Sequence, residues 1–158
     1  MIILGIDPGL QICGYAAVEF SCEKLVEAGV VETDRSADLG ERLNQIAGDI
    51  DSLLEAFKPE IVAVEELYSH YKHPKTAILM GHARGVILQK AADTGIDVRS
   101  FAATRIKKSL TGNGRASKEQ MQRSIQTMLG LNGPPEPADV ADAIAAALCC
   151  ANELRLKK

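Results

Sequence analysis

Four acidic residues stand out by the company they keep. Asp7 ends the apolar run Ile2-Ile3-Leu4-Gly5-Ile6 and is followed by Pro8-Gly9. Glu65 ends a second such run, Ile61-Val62-Ala63-Val64, with Glu66 directly after it. Asp139 and Asp142 sit three apart in Ala138-Asp139-Val140-Ala141-Asp142-Ala143. Taken singly, Asp7 reads as a turn residue, because Asp-Pro and Pro-Gly mark turns. Asp139 reads as a favourable acid in a helix's first turn. Asp142 resists that reading, since Ala143-Ile144-Ala145-Ala146-Ala147-Leu148 after it carries no charge. Taken together, the four imply chemistry. Two strand ends lying side by side bring Asp7 and Glu65 together, and a three-residue spacing puts Asp139 and Asp142 on one helix face. Carboxylates that converge repel and raise one another's pKa. Divalent cations remove the conflict, and hard oxygen donors without His or Cys favour Mg²⁺, with Mn²⁺ as a substitute. Two such ions about 4 Å apart would clamp the attacking and leaving oxygens of a phosphodiester.

The charge distribution points to the same substrate class. The net charge is −3, but Arg99 to Arg123 holds Arg99, Arg105, Lys107, Lys108, Arg115, Lys118 and Arg123 against one acid, Glu119. A basic segment on an acidic body is the footprint of a polyanion-binding surface. The plainer alternative is a solvated helix face.

These residues must be carried by a mixed α and β chain. Strand one ends at Asp7. Residues 14–20 and 24–32 read as strands continuing it in a meander. Leu39, Leu43, Ile46, Ile50, Leu53, Leu54 and Phe57 recur at helical intervals and predict an amphipathic helix. Lys58-Pro59 ends it. Residues 61–64 form a buried strand, followed by a loop with Tyr68, His70 and His73. Helices are expected over 76–92, 103–110, from a Ser117 cap to about Leu129, and from about Ala138. A short strand is expected over 96–101. Gly81 and Gly85, four apart, would let another backbone approach, and alanines let the last helix lie close to the sheet.

Length and composition frame these elements. The chain has 158 residues, 46% hydrophobic and 25% charged, which fits one folded domain over 1–158. No apolar stretch approaches membrane-span length, and the N-terminus lacks a signal-peptide layout, so a cytoplasmic protein without membrane contact is expected. The four cysteines, Cys13, Cys22, Cys149 and Cys150, have no metal-ligand spacing. They read as small buried hydrophobes.

Gly5-Ile6-Asp7-Pro8-Gly9, Ala63-Val64-Glu65-Glu66, Gly81-His82-Ala83-Arg84-Gly85 and Ala138-Asp139-Val140-Ala141-Asp142-Ala143 resemble, in order and spacing, the motifs of the bacterial RuvC family of Holliday junction resolvases. The resemblance covers essentially the whole chain. It implies a ribonuclease H-like α/β fold: a five-stranded mixed sheet, three strands antiparallel and two parallel, flanked by helices. It also implies a Mg²⁺-dependent homodimer that binds four-way junction DNA. Such an enzyme nicks two strands of like polarity in recombination and repair, served by a branch-migration motor.

By the same resemblance Asp7, Glu65, Asp139 and Asp142 are the metal-binding catalytic carboxylates. Glu66 remains an alternative to Glu65, although its side chain should face the other way. Tyr68 matches an aromatic that stacks on a junction base, a task open to any flat π face. Lys107 and Lys118 match lysines beside the scissile phosphate. Arg105, Lys108 and Arg115 are further phosphate contacts on charge alone. The opening motif also resembles the phosphate loop of the actin and sugar-kinase superfamily, which needs two fold copies and a longer chain. A non-catalytic junction-binding module would not need all four carboxylates.

Overall fold

The computed structural model describes residues 1–67 and 73–157. Strands β1 (Ile2–Asp7), β2 (Ile12–Glu19) and β3 (Lys24–Glu32) come first, then helix α1 (Leu39–Phe57), β4 (Ile61–Glu65), α2 (Pro74–Asp93) and β5 (Asp97–Phe101). Three helices close the chain: α3 (Ala103–Thr111), α4 (Lys118–Leu129) and α5 (Ala138–Leu156). The sheet order is β3-β2-β1-β4-β5. β1, β2 and β3 pair antiparallel, while β4 lies parallel to β1 and β5 parallel to β4. This is the five-stranded mixed α/β sheet expected from the sequence.

Strand alternation divides the core in two. Ile3, Ala16, Val18, Ile61, Ala63 and Phe101 face α3, α4 and α5. Leu4, Ile6, Ala17, Val62 and Val64 face the buried side chains of α1 and α2, among them Ile46, Ile50 and Ile87. α1 is held at its start by a reciprocal capping box, Asp38 with Glu41, which satisfies two otherwise orphaned amides. α4 starts the same way from Ser117, with Gln120 returning the bond.

Several boundaries differ from the sequence expectation. β2 starts at Ile12 rather than residue 14, because its first two residues pair with β3, Ile12 with Glu32 and Cys13 with Val31. α2 starts at Pro74 rather than Thr76; proline is tolerated in a helix's first turn, where its missing N–H has no partner to lose. Cys13, Cys149 and Cys150 are buried as expected, but Cys22 is exposed in the β2–β3 turn. Gly81 and Gly85 meet no neighbouring backbone within 4 Å, so within the described chain that face of α2 stays open. No helix among the described residues is long and apolar enough to cross a membrane.

Candidate active site

Parity places the carboxylates. On β1, Ile3 faces α5 while Leu4 and Ile6 face α1, so Asp7 points to the α5 side. On β4, Ile61 and Ala63 face α5 while Val62 and Val64 do not, so Glu65 points the same way and Glu66 the other. The parallel register runs to Ile6↔Val64, which brings Asp7 and Glu65 to adjacent strand ends.

α5 supplies the other two. It lies against the sheet nearly backbone to backbone, and two glycines make the room. A Cβ on Gly5 would stand 2.0 Å from the Ala143 carbonyl oxygen, and one on Gly14 would stand 2.0 Å from that of Asp139. Gly14 is the register partner of Asp7, so the seat of α5 sets Asp139 beside Asp7. From Val140 to Ala151 every residue of α5 is buried except Asp142, which faces the same cleft one turn further along.

The cluster is electrostatically strained. Burial, then the charges of Asp142, Glu65 and Asp139, push the Asp7 carboxyl up to about 8, with Lys118 pulling the other way. Glu65 is raised by burial and then by Asp142, against Lys107. Asp142, open to the cleft, is raised first by partial desolvation of its carboxyl among its neighbours, eased by Lys118. Among the described residues none of the four carboxylates accepts a side-chain hydrogen bond or ion pair. A cavity of about 200 Å³ opens beside Glu65 and Asp142, with Lys107 and Lys118 on its wall. A second, of about 390 Å³, opens beside Asp7 and Asp139. Lys118 occupies the first position of α4, where a positive charge opposes the helix dipole; the carboxylates offset that cost.

A model of the family "Crossover junction endodeoxyribonuclease RuvC" matches residues 3–150. The chain belongs to the RuvC family. It is 49% identical over 149 residues to the crossover junction endodeoxyribonuclease RuvC of Rhodopirellula baltica, covering 93% of this chain and 84% of that one. The Thermus thermophilus RuvC structure superposes with a TM-score of 0.91 at 33% identity, covering 99% of this chain and 97% of that one. T. thermophilus RuvC in complex with Holliday junction substrate superposes at 0.89 with 32% identity, over 99% and 96% of the two chains. As a RuvC-family member the protein is a crossover junction endodeoxyribonuclease, a nuclease of DNA recombination and repair.

The basic run of this RuvC-family chain does not form one stripe. Lys107 and Arg105 are two apart on α3, so they point about 200° from each other. Lys107 faces the cleft. Arg105 turns to Glu153, with its guanidinium over the Phe101 ring. Lys108 lines the same distant cavity as Arg105. Arg99 pairs with Asp97 and Glu153. Arg115 is exposed in the α3–α4 connection, its backbone amide donating to Asn113. Tyr68 and His70 lie outside the described residues; His73 and His82 are exposed.

Among the described residues, no three His, Cys, Asp or Glu side chains close around a point that could hold a metal ion. The donor chemistry nevertheless fits a hard divalent cation. Mg²⁺ keeps several waters and takes one or two carboxylates plus substrate phosphate oxygens, rather than an all-protein cage. Four clustered carboxyl groups that become acceptor-only oxygen ligands once ionised match that demand, and a bound cation would favour the ionised form that burial and like charges disfavour at Asp7. Sequence reasoning gave no role to Gly5 and Gly14. The glycines carried a signal, since glycine inside a strand marks a close backbone approach.

Proposed function

We propose that Asp7, Glu65, Asp139 and Asp142 hold the divalent metal of a phosphodiester hydrolysis, two Mg²⁺ per site with Mn²⁺ able to substitute. The observation that carries this reading is the convergence of four carboxyl groups on one cleft, where burial and three like charges push the Asp7 carboxyl up to about 8 against the pull of Lys118. Bound there, divalent cations supply positive charge to the phosphate and acidify the attacking water. The chain's own residues orient the substrate. Lys107 and Lys118 stand on the cleft wall beside Glu65 and Asp142, where their ammonium groups hold the scissile phosphate as point charges. Arg105, Lys108 and Arg115 serve the duplex arms further out, and Tyr68 stacks on an exposed junction base. Two copies, working as a homodimer in the cytoplasm, make the symmetric pair of nicks, and a branch-migration motor delivers the junction.

Cleavage of a synthetic four-way junction beside a matched linear duplex, with and without Mg²⁺, tests this directly. Binding should survive metal removal and cutting should not. Asp7→Asn should abolish cutting while junction binding stays within about threefold. An Asp7→Asn protein that cuts at near-normal rate would exclude the metal assignment. Lys118→Ala should cost cleavage rate without loss of melting temperature; equal losses of both would make Lys118 structural.

A further inference from the structure

Arg42, in the first turn of α1, lies close enough to Asp34 for its charge to help lower that carboxyl, yet it is not paired with it. Among the described residues its guanidinium makes no ion pair. It is spent instead on the turn that follows Asp7. Nη2 donates to Gln11 Oε1 at 2.9 Å and to the Leu10 carbonyl at 3.4 Å, and Nε donates to Thr33 Oγ1 at 3.0 Å. Thr33, at 6% exposure, is the buried polar residue of the described chain. Its hydroxyl donates to the Leu10 carbonyl at 2.6 Å, its amide to the Gln11 carbonyl at 3.1 Å, and the Gln11 side-chain amide returns a bond to the Thr33 carbonyl. Residues 10 and 11 are thus tied to the end of β3 and the start of α1.

The tie bears on the active site because the turn is one wall of it. Arg42, Pro8 and Gln11 line the same cavity as Asp7 and Asp139. The Leu10 side chain is buried in the α1-side core, which anchors the turn at one point. The ladders hold the two ends of the turn, Asp7 against Gly14 and Ile12 against Glu32, and leave residues 8–11 between them to side-chain contacts. The fork of hydrogen bonds fixes a second point, and with it the backbone direction in which Asp7 leaves β1. The planar guanidinium spreads its donors over a fixed fork, and here Nε and Nη2 serve separate acceptors; an ammonium carries its donors on a single atom and does not span them.

We propose that Arg42 is a positioning residue for cleavage: it sets the aim of the Asp7 carboxylate through the turn at 8–12 and does not touch the substrate. The proposal rests on Asp7 being a working ligand of the site.

The test compares Arg42→Lys and Arg42→Gln with wild type and Asp7→Asn. Single-turnover cleavage at saturating protein, junction binding without divalent metal, and amide exchange over residues 8–12 are measured together. Both Arg42 variants should lose about a hundredfold in cleavage rate, as ångström-scale misplacement does. Binding should be preserved and exchange faster over 8–12 alone. Full rescue by Lys would overturn the proposal in favour of a charge contact to the DNA. Normal rates, or unchanged exchange over 8–12, would overturn it outright. Should both variants fail to fold, Gln11→Ala removes two of the ties without touching the charge. It should slow cleavage about tenfold, and an unchanged rate would overturn the proposal. An inert Asp7→Asn beside normal Arg42 variants defeats only the Arg42 inference, whereas an active Asp7→Asn defeats the site assignment beneath it.

Discussion

α1 and α5 are equal in length, 19 residues each, and lie on opposite faces of one sheet, yet they are built on different rules. α1 is a conventional amphipathic helix. It buries one stripe of large side chains, Ile46, Ile50, Leu53 and Leu54, and exposes the rest. Its side chains hold its backbone away from the sheet, so small shifts are absorbed by rotamer changes. α5 is buried almost all round through small residues, and its backbone meets the strands through Gly5 and Gly14. A contact between backbones has no rotamer to adjust. The difference teaches why α5 suits the two acids proposed as metal ligands: the helix that cannot slide is the one whose Asp139 and Asp142 face Asp7 and Glu65.

Breaking the seat of α5 should have the largest effect. Gly14→Ala places a methyl group 2.0 Å from the Asp139 carbonyl oxygen, so α5 must move. Denaturant unfolding should show a loss of about 3 kcal/mol, and junction cleavage should fall about a hundredfold. Retained activity would mean that α5 is not rigidly seated.

The pH dependence of stability sharpens the same contrast, because Asp7, Glu65 and Asp142 are raised together on the α5 side, whereas on α1 Asp49 is raised by burial alone. An ordinary Asp titrates near 3.8, and Asp7 in the folded chain is pushed up to about 8. Between those values the folded state holds a proton that the unfolded state has released, so stability falls as pH rises through this window. Without metal, the melting temperature should therefore drop from about pH 5 to about pH 8, and Asp7→Asn should flatten the drop. Adding Mg²⁺ at the upper end should restore stability in wild type, since a ligand of the folded state alone raises it. Equal slopes in wild type and Asp7→Asn would break the electrostatic account of the cluster.

α1 should respond mildly and without touching the chemistry. Asp38→Ala removes half of its capping box and should cost about 1 kcal/mol with cleavage unchanged. Gly48→Ala, whose new methyl group meets nothing within 4 Å, should gain about 0.5–1 kcal/mol. The same Gly→Ala change, with opposite sign on the two sides of the sheet, separates a helix packed by side chains from one packed by backbone.

Much of the site was legible because local pattern carries it. Apolar runs that stop at Asp7 and Glu65 locate strand ends, and alternation alone decides that residues 3, 5 and 7 share a face. Helical periodicity located α1 with both ends correct at Leu39 and Phe57. The basic run was legible only as charge. Its residues lie on a strand, two helices and a connection, and adjacent basic positions of α3 point to different surfaces. Arg99 and Arg105 met Glu153, some fifty residues later in the chain, and no local spacing foretells such a pairing.

The sequence by itself determined the elements, the parity of their side chains and the acid character of the site, because each follows from steric and hydrophobic rules acting over a few residues. Only the tertiary structure decided how close α5 lies to β1 and β2, which lysines reach the acids, and that Arg42 grips the turn after Asp7. Those are distances between residues from 9 to more than 120 positions apart, set by packing that no local pattern contains.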